Sequence, residues 1–206
     1  MSSQSPRQNR AFATLRRFVR ERAPVERCEM CGAELAAEHQ HLIEPQSRKL
    51  SCACQPCAIL FSGQVEKKYK SVPRRIRFLP DFQLTDAQWD SLAIPIGMAF
   101  FFHSTPAGKT IALYPSPAGA TESLLDLDAW QDIAQDNAKL KQMEPDVEAL
   151  LVNRVRGSSG EYYLVPIDVC YKLVGLIRAH WRGLSGGTEV WNEIGQFFAG
   201  LKAASS

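Results

Sequence analysis

The sequence predicts an α+β protein in which a short cysteine-rich module precedes a longer body with antiparallel β-hairpins and about four helices. Three observations predict this class. Five of the six cysteines fall within 30 residues, from Cys28 to Cys57. Apolar residues alternate along several short segments of the body, as in strands, and recur every three or four residues along others, as in helices. We divide the chain into a basic tail and helix (1–25), the module (26–63) and the body (64–206).

The first element is a basic amphipathic helix over residues 9–22, which ends before Pro24. Arginines surround its apolar residues, which recur at helical spacing: Phe12, Leu15, Phe18 and Val19. The N-terminus lacks the apolar core of a secretory signal, and no apolar run reaches the roughly 20 residues that span a bilayer. We therefore expect a cytoplasmic protein without membrane insertion.

The body is predicted to contain two β-hairpins, one pairing residues 98–103 with 110–114 and the other pairing 149–155 with 162–165. Thr85 and Gln88 match a capping box that begins a short helix. Further helices are predicted over three segments: 128–143, 166–181 and about 190–201. The connector over residues 115–121 is predicted to be a loop.

The module has the spacing of a tetrahedral metal site. Cys28 and Cys31 form one Cys-x-x-Cys pair, followed by Gly32, and Cys54 and Cys57 form a second pair, with 22 residues between Cys31 and Cys54. Two such pairs, each on a tight turn, can direct four thiolates at one ion at about 2.3 Å. The sequence therefore predicts a zinc ribbon-like or rubredoxin-like module with these four cysteines as ligands.

Zinc is the expected ion, because all-cysteine tetrahedral sites are most often structural zinc sites. The same donors can hold a single rubredoxin-type iron or an iron–sulfur cluster. The spacing does not separate these alternatives, so an electron-transfer role remains open at this point.

Two further residues of the module are alternative ligands. Cys52 could replace Cys54, although the x-x spacing of Cys54 and Cys57 matches the first pair better. His41 could enter a shell of three cysteines and one histidine, although His39 and His41 between the two pairs are more typical of surface or supporting residues. Cys170 lies on an apolar helical face and is predicted to be a buried core thiol.

Charge is unevenly distributed along the chain, which carries a net charge of +2. Residues 1–80 hold 15 Lys and Arg against 7 Asp and Glu, whereas residues 81–150 hold 3 against 11. The basic stretch over residues 67–77 could contact phosphates, so a zinc-ribbon nucleic-acid-binding protein is an alternative. No histidine lies in a recognisable nucleophile or metal-water motif, and we therefore expect no catalytic activity.

Several stretches resemble a bacterial family without an assigned activity, whose genes often neighbour those of nickel–iron hydrogenases. The likeness covers about residues 26–200 and includes the Cys-x-x-Cys and Cys-x-Cys-x-x-Cys motifs and these segments: 38–42, 79–82, 114–123, 144–151 and 163–170. The resemblance implies an accessory role, with a hydrogenase subunit or maturation factor as the protein partner. Together, these observations predict a non-catalytic metal-binding accessory or interaction protein.

Overall fold

The computed structural model describes residues 25–62, 68–123, 128–155 and 160–205. It confirms the α+β class, with antiparallel sheets and five α-helices. The strands are β1 (Gln40–Glu44), β2 (Lys49–Ala53), β3 (Lys70–Ser71), β4 (Arg77–Phe78), β5 (Met98–Ser104), β6 (Lys109–Ser116), β7 (Gly119–Glu122), β8 (Glu148–Asn153) and β9 (Glu161–Pro166). The helices are α1 (Gln55–Ser62), α2 (Asp86–Ser91), α3 (Asp128–Asp136), α4 (Ile167–His180) and α5 (Gly187–Ala204).

The basic helix predicted over residues 9–22 lies outside the described residues. None of the described helices has the length and apolar character needed to cross a membrane.

A six-stranded antiparallel sheet forms the centre of the body, with the strand order β4-β9-β8-β5-β6-β7. Its central strands are buried on both faces, which explains their nearly continuous apolar sequence. In β5, Phe100 and Phe102 face the cluster that contains α4 and α5, whereas Phe101 stacks on Trp130 of α3 on the other face. Alternate residues of a strand point to opposite faces, so a single strand contributes to both clusters.

A separate three-stranded sheet with the order β2-β1-β3 forms the cysteine-rich module. Its third strand, β3, comes from beyond residue 63 and pairs with β1 through Leu42 and Ile43. Ile43 and Val72 are buried in the main core of the body, while Leu42 is buried on the cysteine side. The alternation along β1 therefore attaches the module to the body on one face and leaves the other for the cysteines.

Both predicted hairpins are confirmed, as are the capping box at Thr85 and Gln88 and the burial of Cys170. The loop predicted over residues 115–121 is wrong, because β6 continues to Ser116 and a tight turn leads into β7. The Ser116 hydroxyl holds this turn, donating to the Gly119 carbonyl and accepting from the Ala118 amide. Gly119 has a φ of +131°, which favours glycine.

The helix predicted over residues 128–143 ends earlier than expected, at Asp136. The Asn137 side chain donates to the carbonyls of Ile133 and Gln83, and its Oδ1 accepts from the Gln83 amide. These contacts hold the chain at Asn137 outside helical geometry, and a short 3-10 helix follows over Ala138–Gln142.

Candidate metal centre

The first cysteine pair lies on a tight turn closed by backbone hydrogen bonds. The Gly32 amide donates to the Cys28 carbonyl at 2.8 Å, and the Cys28 amide donates to the Ala33 carbonyl at 2.8 Å. Gly32 has a φ of +76°, a conformation that residues with a side chain rarely adopt. This turn places the Cys28 and Cys31 side chains on the same side.

The second pair lies at the start of a helix, and so differs from the matched turn that the spacing suggested. The Cys54 carbonyl accepts from the Ala58 amide at 2.9 Å, which places Cys54 immediately before α1 and Cys57 in its first turn. Residues three apart lie on the same face of a helix. The positive end of the helix dipole also favours thiolates at this position.

The four thiols converge on one point. The Sγ atoms of Cys28, Cys31, Cys54 and Cys57 all lie within 4.8 Å of one another. The Sγ atoms of Cys31 and Cys54 are 3.7 Å apart, and none of the six cysteines forms a disulfide. Four thiolates at about 2.3 Å from a tetrahedral ion are about 3.8 Å apart, so the group has the dimensions to hold a metal ion.

The centre has a buried side and an exposed side. Cys28 is buried with Leu42, Ala53 and Ala58 in a small apolar cluster, whereas Cys31 is exposed. An ion here would lie at the edge of the molecule, with its inner ligand fixed by the module's own core.

Two thiols of the centre, Cys28 and Cys57, have pKa values shifted in opposite directions. Burial by itself would raise the pKa of Cys28, but the amides of Cys54, Met30 and Cys31 lower that pKa to about 6. The adjacent Cys54 side chain, burial and the other thiols raise the pKa of Cys57 to about 12. Several thiolates do not coexist here without a compensating positive charge, and a bound dication would supply that charge.

The alternative ligands lie elsewhere in the module. Cys52 is on β2, directly opposite His41 on β1, and these two residues form a second group with His39. The structure thus brings Cys54, and neither Cys52 nor His41, together with Cys28, Cys31 and Cys57. The second group was not predicted from the sequence, although the His-x-His spacing places both rings on one face of an extended strand.

A family comparison covers nearly the whole described chain. The family of unknown function DUF5947 matches residues 27–205. The chain belongs to this family. The search of curated proteins found no match, and the search of solved structures also found none. The matched range includes both the four-cysteine module and the body, so the family is defined by the two together.

Proposed function

We propose that this chain is a non-catalytic, zinc-binding accessory protein whose metal ion holds the N-terminal module in shape for a protein partner. The convergence of four cysteine Sγ atoms within 4.8 Å carries the proposal. A single Cys-x-x-Cys pair would be compatible with redox chemistry, but two pairs at tetrahedral spacing leave no coordination position open for a substrate.

A structural ion explains how so small a module stays folded. Among the described residues, its own apolar cluster contains four buried residues: Cys28, Leu42, Ala53 and Ala58. Modules with so little core depend on a metal or a cross-link for stability. Zinc is the ion proposed, and rubredoxin-type iron with an electron-transfer role is the alternative that the same donors allow.

The surface of the module favours a protein partner. Helix α1 exposes two adjacent apolar side chains, Ile59 at 67% and Leu60 at 60% of their full area. Adjacent exposed aliphatic side chains on a short helix are typical of a contact surface. The partner expected from the resemblance is a nickel–iron hydrogenase subunit or maturation factor.

The nucleic-acid alternative is weakened by internal ion pairing along the basic stretch. Lys70 pairs with Asp146, Arg75 and Arg77 pair with Glu148, and Lys68 pairs with Glu44. Phosphates would have to compete with carboxylates already in place, so this stretch offers less positive charge than its sequence suggests.

Elemental analysis and the visible spectrum of purified protein test the metal assignment. We expect a colourless protein with zinc in an all-thiolate shell, and loss of one metal equivalent in both Cys31→Ser and Cys57→Ser. Cys170→Ala is the matched control and keeps its full metal content, because Cys170 is buried in the body. Full metal retention in both variants would overturn the proposal, and a red or brown iron protein would replace it with the electron-transfer alternative.

Affinity purification of the intact chain tests the partner. We expect recovery of a hydrogenase-associated protein, with binding that weakens as salt is raised if the charges steer association. Salt-dependent retention on DNA or RNA, with no protein recovered, would favour the nucleic-acid alternative.

A further inference from the structure

A second group of metal-binding side chains lies behind the four cysteines. The donor atoms of His39, His41 and Cys52 lie within 4.8 Å of one another, and none of them belongs to the four-thiol group. His41 and Cys52 are direct cross-strand partners on β1 and β2, and His39 precedes β1 by one residue. The sheet register therefore fixes His41 beside Cys52, and His39 joins them from the residue before β1.

His39 presents a nitrogen without a partner. Its Nδ1 lies 2.9 Å from the Ala36 carbonyl oxygen. A carbonyl oxygen only accepts, so Nδ1 carries the proton and Nε2 of the neutral ring carries the free lone pair. The side chain is only 7% exposed, and its Nε2 is buried without a hydrogen-bond partner among the described residues. Buried polar atoms in folded proteins are nearly always satisfied, so this nitrogen needs a ligand.

A carboxylate orients the His41 ring, as the Ala36 carbonyl orients the His39 ring. Its Nδ1 donates to Asp168 Oδ2 at 2.6 Å, across 127 residues of sequence. Its Nε2 therefore also carries a lone pair. A histidine that ligates a metal typically donates its other ring N–H to a carboxylate or a backbone carbonyl, and the two histidines show one example of each.

We propose that His39 Nε2, His41 Nε2 and Cys52 Sγ form a second metal site, distinct from the four-cysteine centre, for a divalent transition ion of the zinc type. Two imidazoles and a thiolate select such an ion over magnesium or calcium, which prefer oxygen ligands. The site shares no ligand with the four cysteines, so its loss can be observed while the four-thiolate centre proposed above stays filled.

Three protein ligands leave one position of a tetrahedral ion open. A cavity of about 430 Å³ borders the site and is lined by His41, Cys52, Asp168 and Lys172 among others. A second cavity of about 230 Å³ is lined by His39 and His41. The open position is thus accessible to water or to a small anion, for which Lys172 supplies a positive charge.

The same residues contain another arrangement, in which Cys52 is a nucleophile with His41 as its base and Asp168 as the orienting carboxylate. That arrangement uses one histidine and leaves the buried Nε2 of His39 unexplained. The metal site accounts for both rings.

The test is a titration of the metal-free, reduced, full-length protein with Co²⁺, whose absorption reports its ligands. We expect two equivalents per chain, one with the intense charge-transfer absorption of four thiolates and one with the weaker absorption of a single thiolate. His39→Asn and Cys52→Ser each lose only the second. Cys54→Ser loses the first. His180→Asn, a matched control at a histidine paired with Glu189 outside the site, keeps both.

The surviving four-thiolate absorption in His39→Asn and Cys52→Ser shows that the module remains folded. Asp168→Asn still binds two equivalents of Co²⁺, but its affinity for the second ion is lower by roughly 10–100-fold, because Asp168 orients a ligand and does not bind the ion itself. X-ray absorption of the wild-type zinc protein, which needs no variant, should show nitrogen as well as sulfur neighbours.

Three results would overturn the proposal: a single equivalent in the wild-type protein, two equivalents retained in both His39→Asn and Cys52→Ser, or a sulfur-only shell in the two-zinc protein. Rapid alkylation of Cys52 that depends on His41, together with a single equivalent, would assign these residues to nucleophilic chemistry instead.

Discussion

The Lys70 ammonium lies 2.6 Å from Asp146 Oδ2 and joins the small sheet to the body through a partly buried ion pair. Asp146 is buried, and its carboxylate also accepts from the amide and the hydroxyl of Thr105 at 2.8 and 2.6 Å. Its backbone has a φ of +70°, a conformation that aspartate tolerates better than most residues. Because Lys70 lies on β3, one carboxylate links the strand beside the metal module to the β5–β6 turn.

This carboxylate makes stability depend on pH in the acid range. Burial by itself would raise the pKa of Asp146, but hydrogen bonds from Lys70 and Thr105 lower it below the ordinary 3.8. A folded-state pKa below the unfolded value gives stabilisation that is present above the ordinary pKa and is lost as pH falls through the lower one. At neutral pH, we expect urea unfolding to give a larger free energy of unfolding for the wild type than for Asp146→Asn. This difference should become smaller below about pH 4.

Asp90→Asn is the matched control for that measurement, because Asp90 is exposed on α2. Its stability should follow that of the wild type at every pH. A gap for Asp146→Asn that stays constant from neutral pH to pH 3 would show that Asp146 contributes through its shape and not through its charge.

Two arginines around Glu148 should differ in their importance for stability. The buried Glu148 carboxylate accepts from Arg77 Nη2 at 3.3 Å and Arg75 Nη2 at 3.4 Å. The Arg77 side chain is 17% exposed, and the Arg75 side chain is 60% exposed. Removing the buried partner leaves a poorly compensated buried charge, so Arg77→Ala should cost about 3 kcal/mol. Arg75→Ala should cost less than about 1 kcal/mol, because solvent screens an exposed pair.

Thermal or urea unfolding of the two variants measures the difference directly. Equal losses for Arg77→Ala and Arg75→Ala would contradict the assignment of Arg77 as the partner that compensates Glu148.

Local sequence patterns predicted much of this fold, but they could not predict the features that depend on long-range contacts. The Thr85–Gln88 capping box, the two hairpins and the terminal helices each depend on residues that are neighbours in sequence. The end of α3 at Asp136 depends instead on Asn137 meeting Gln83, 54 residues away. Residues 115–121 were misassigned because proline, serine and glycine indicate a loop, whereas Ser116 closes a tight turn between two strands.

The candidate site also has features that local sequence predicts and features that depend on long-range contacts. Cysteine spacing was sufficient to select the four residues that the structure brings together, since each pair is local and only one long connection separates them. The grouping of His41 with Cys52 depends on the β1–β2 register, and the role of Asp168 depends on one hydrogen bond between α4 and β1. Neither is encoded in a local pattern.

The Cys170 thiol should be inert in the folded protein. It lies on the buried face of α4, and burial raises its pKa well above the ordinary value. Thiolate is the reactive form, so both access and ionisation are suppressed. We expect N-ethylmaleimide followed by peptide mass spectrometry to leave Cys170 unmodified in the native protein and to label it fully in denaturant. Labelling of native Cys170 as fast as the exposed Cys31 in metal-free protein would contradict its placement in the core.

The exposed pair on α1 gives the sharpest test of the partner surface. Ile59 and Leu60 contribute little to the fold, so Ile59→Gln with Leu60→Gln should change the free energy of unfolding by less than about 1 kcal/mol and leave the metal content unchanged. Glutamine is a good helix former, so α1 should remain intact. If these side chains are buried by a partner, the double variant should weaken its binding by roughly tenfold or more.

Leu184→Gln is the control for that measurement, because Leu184 is a fully exposed leucine between α4 and α5, away from the metal module. It should bind the recovered partner as the wild type does, measured by isothermal titration calorimetry with each purified protein. Undiminished binding by the α1 double variant would remove this helix as the contact surface. Weakened binding by Leu184→Gln alone would move the surface to the α4–α5 connection and leave the metal centre with a purely structural role.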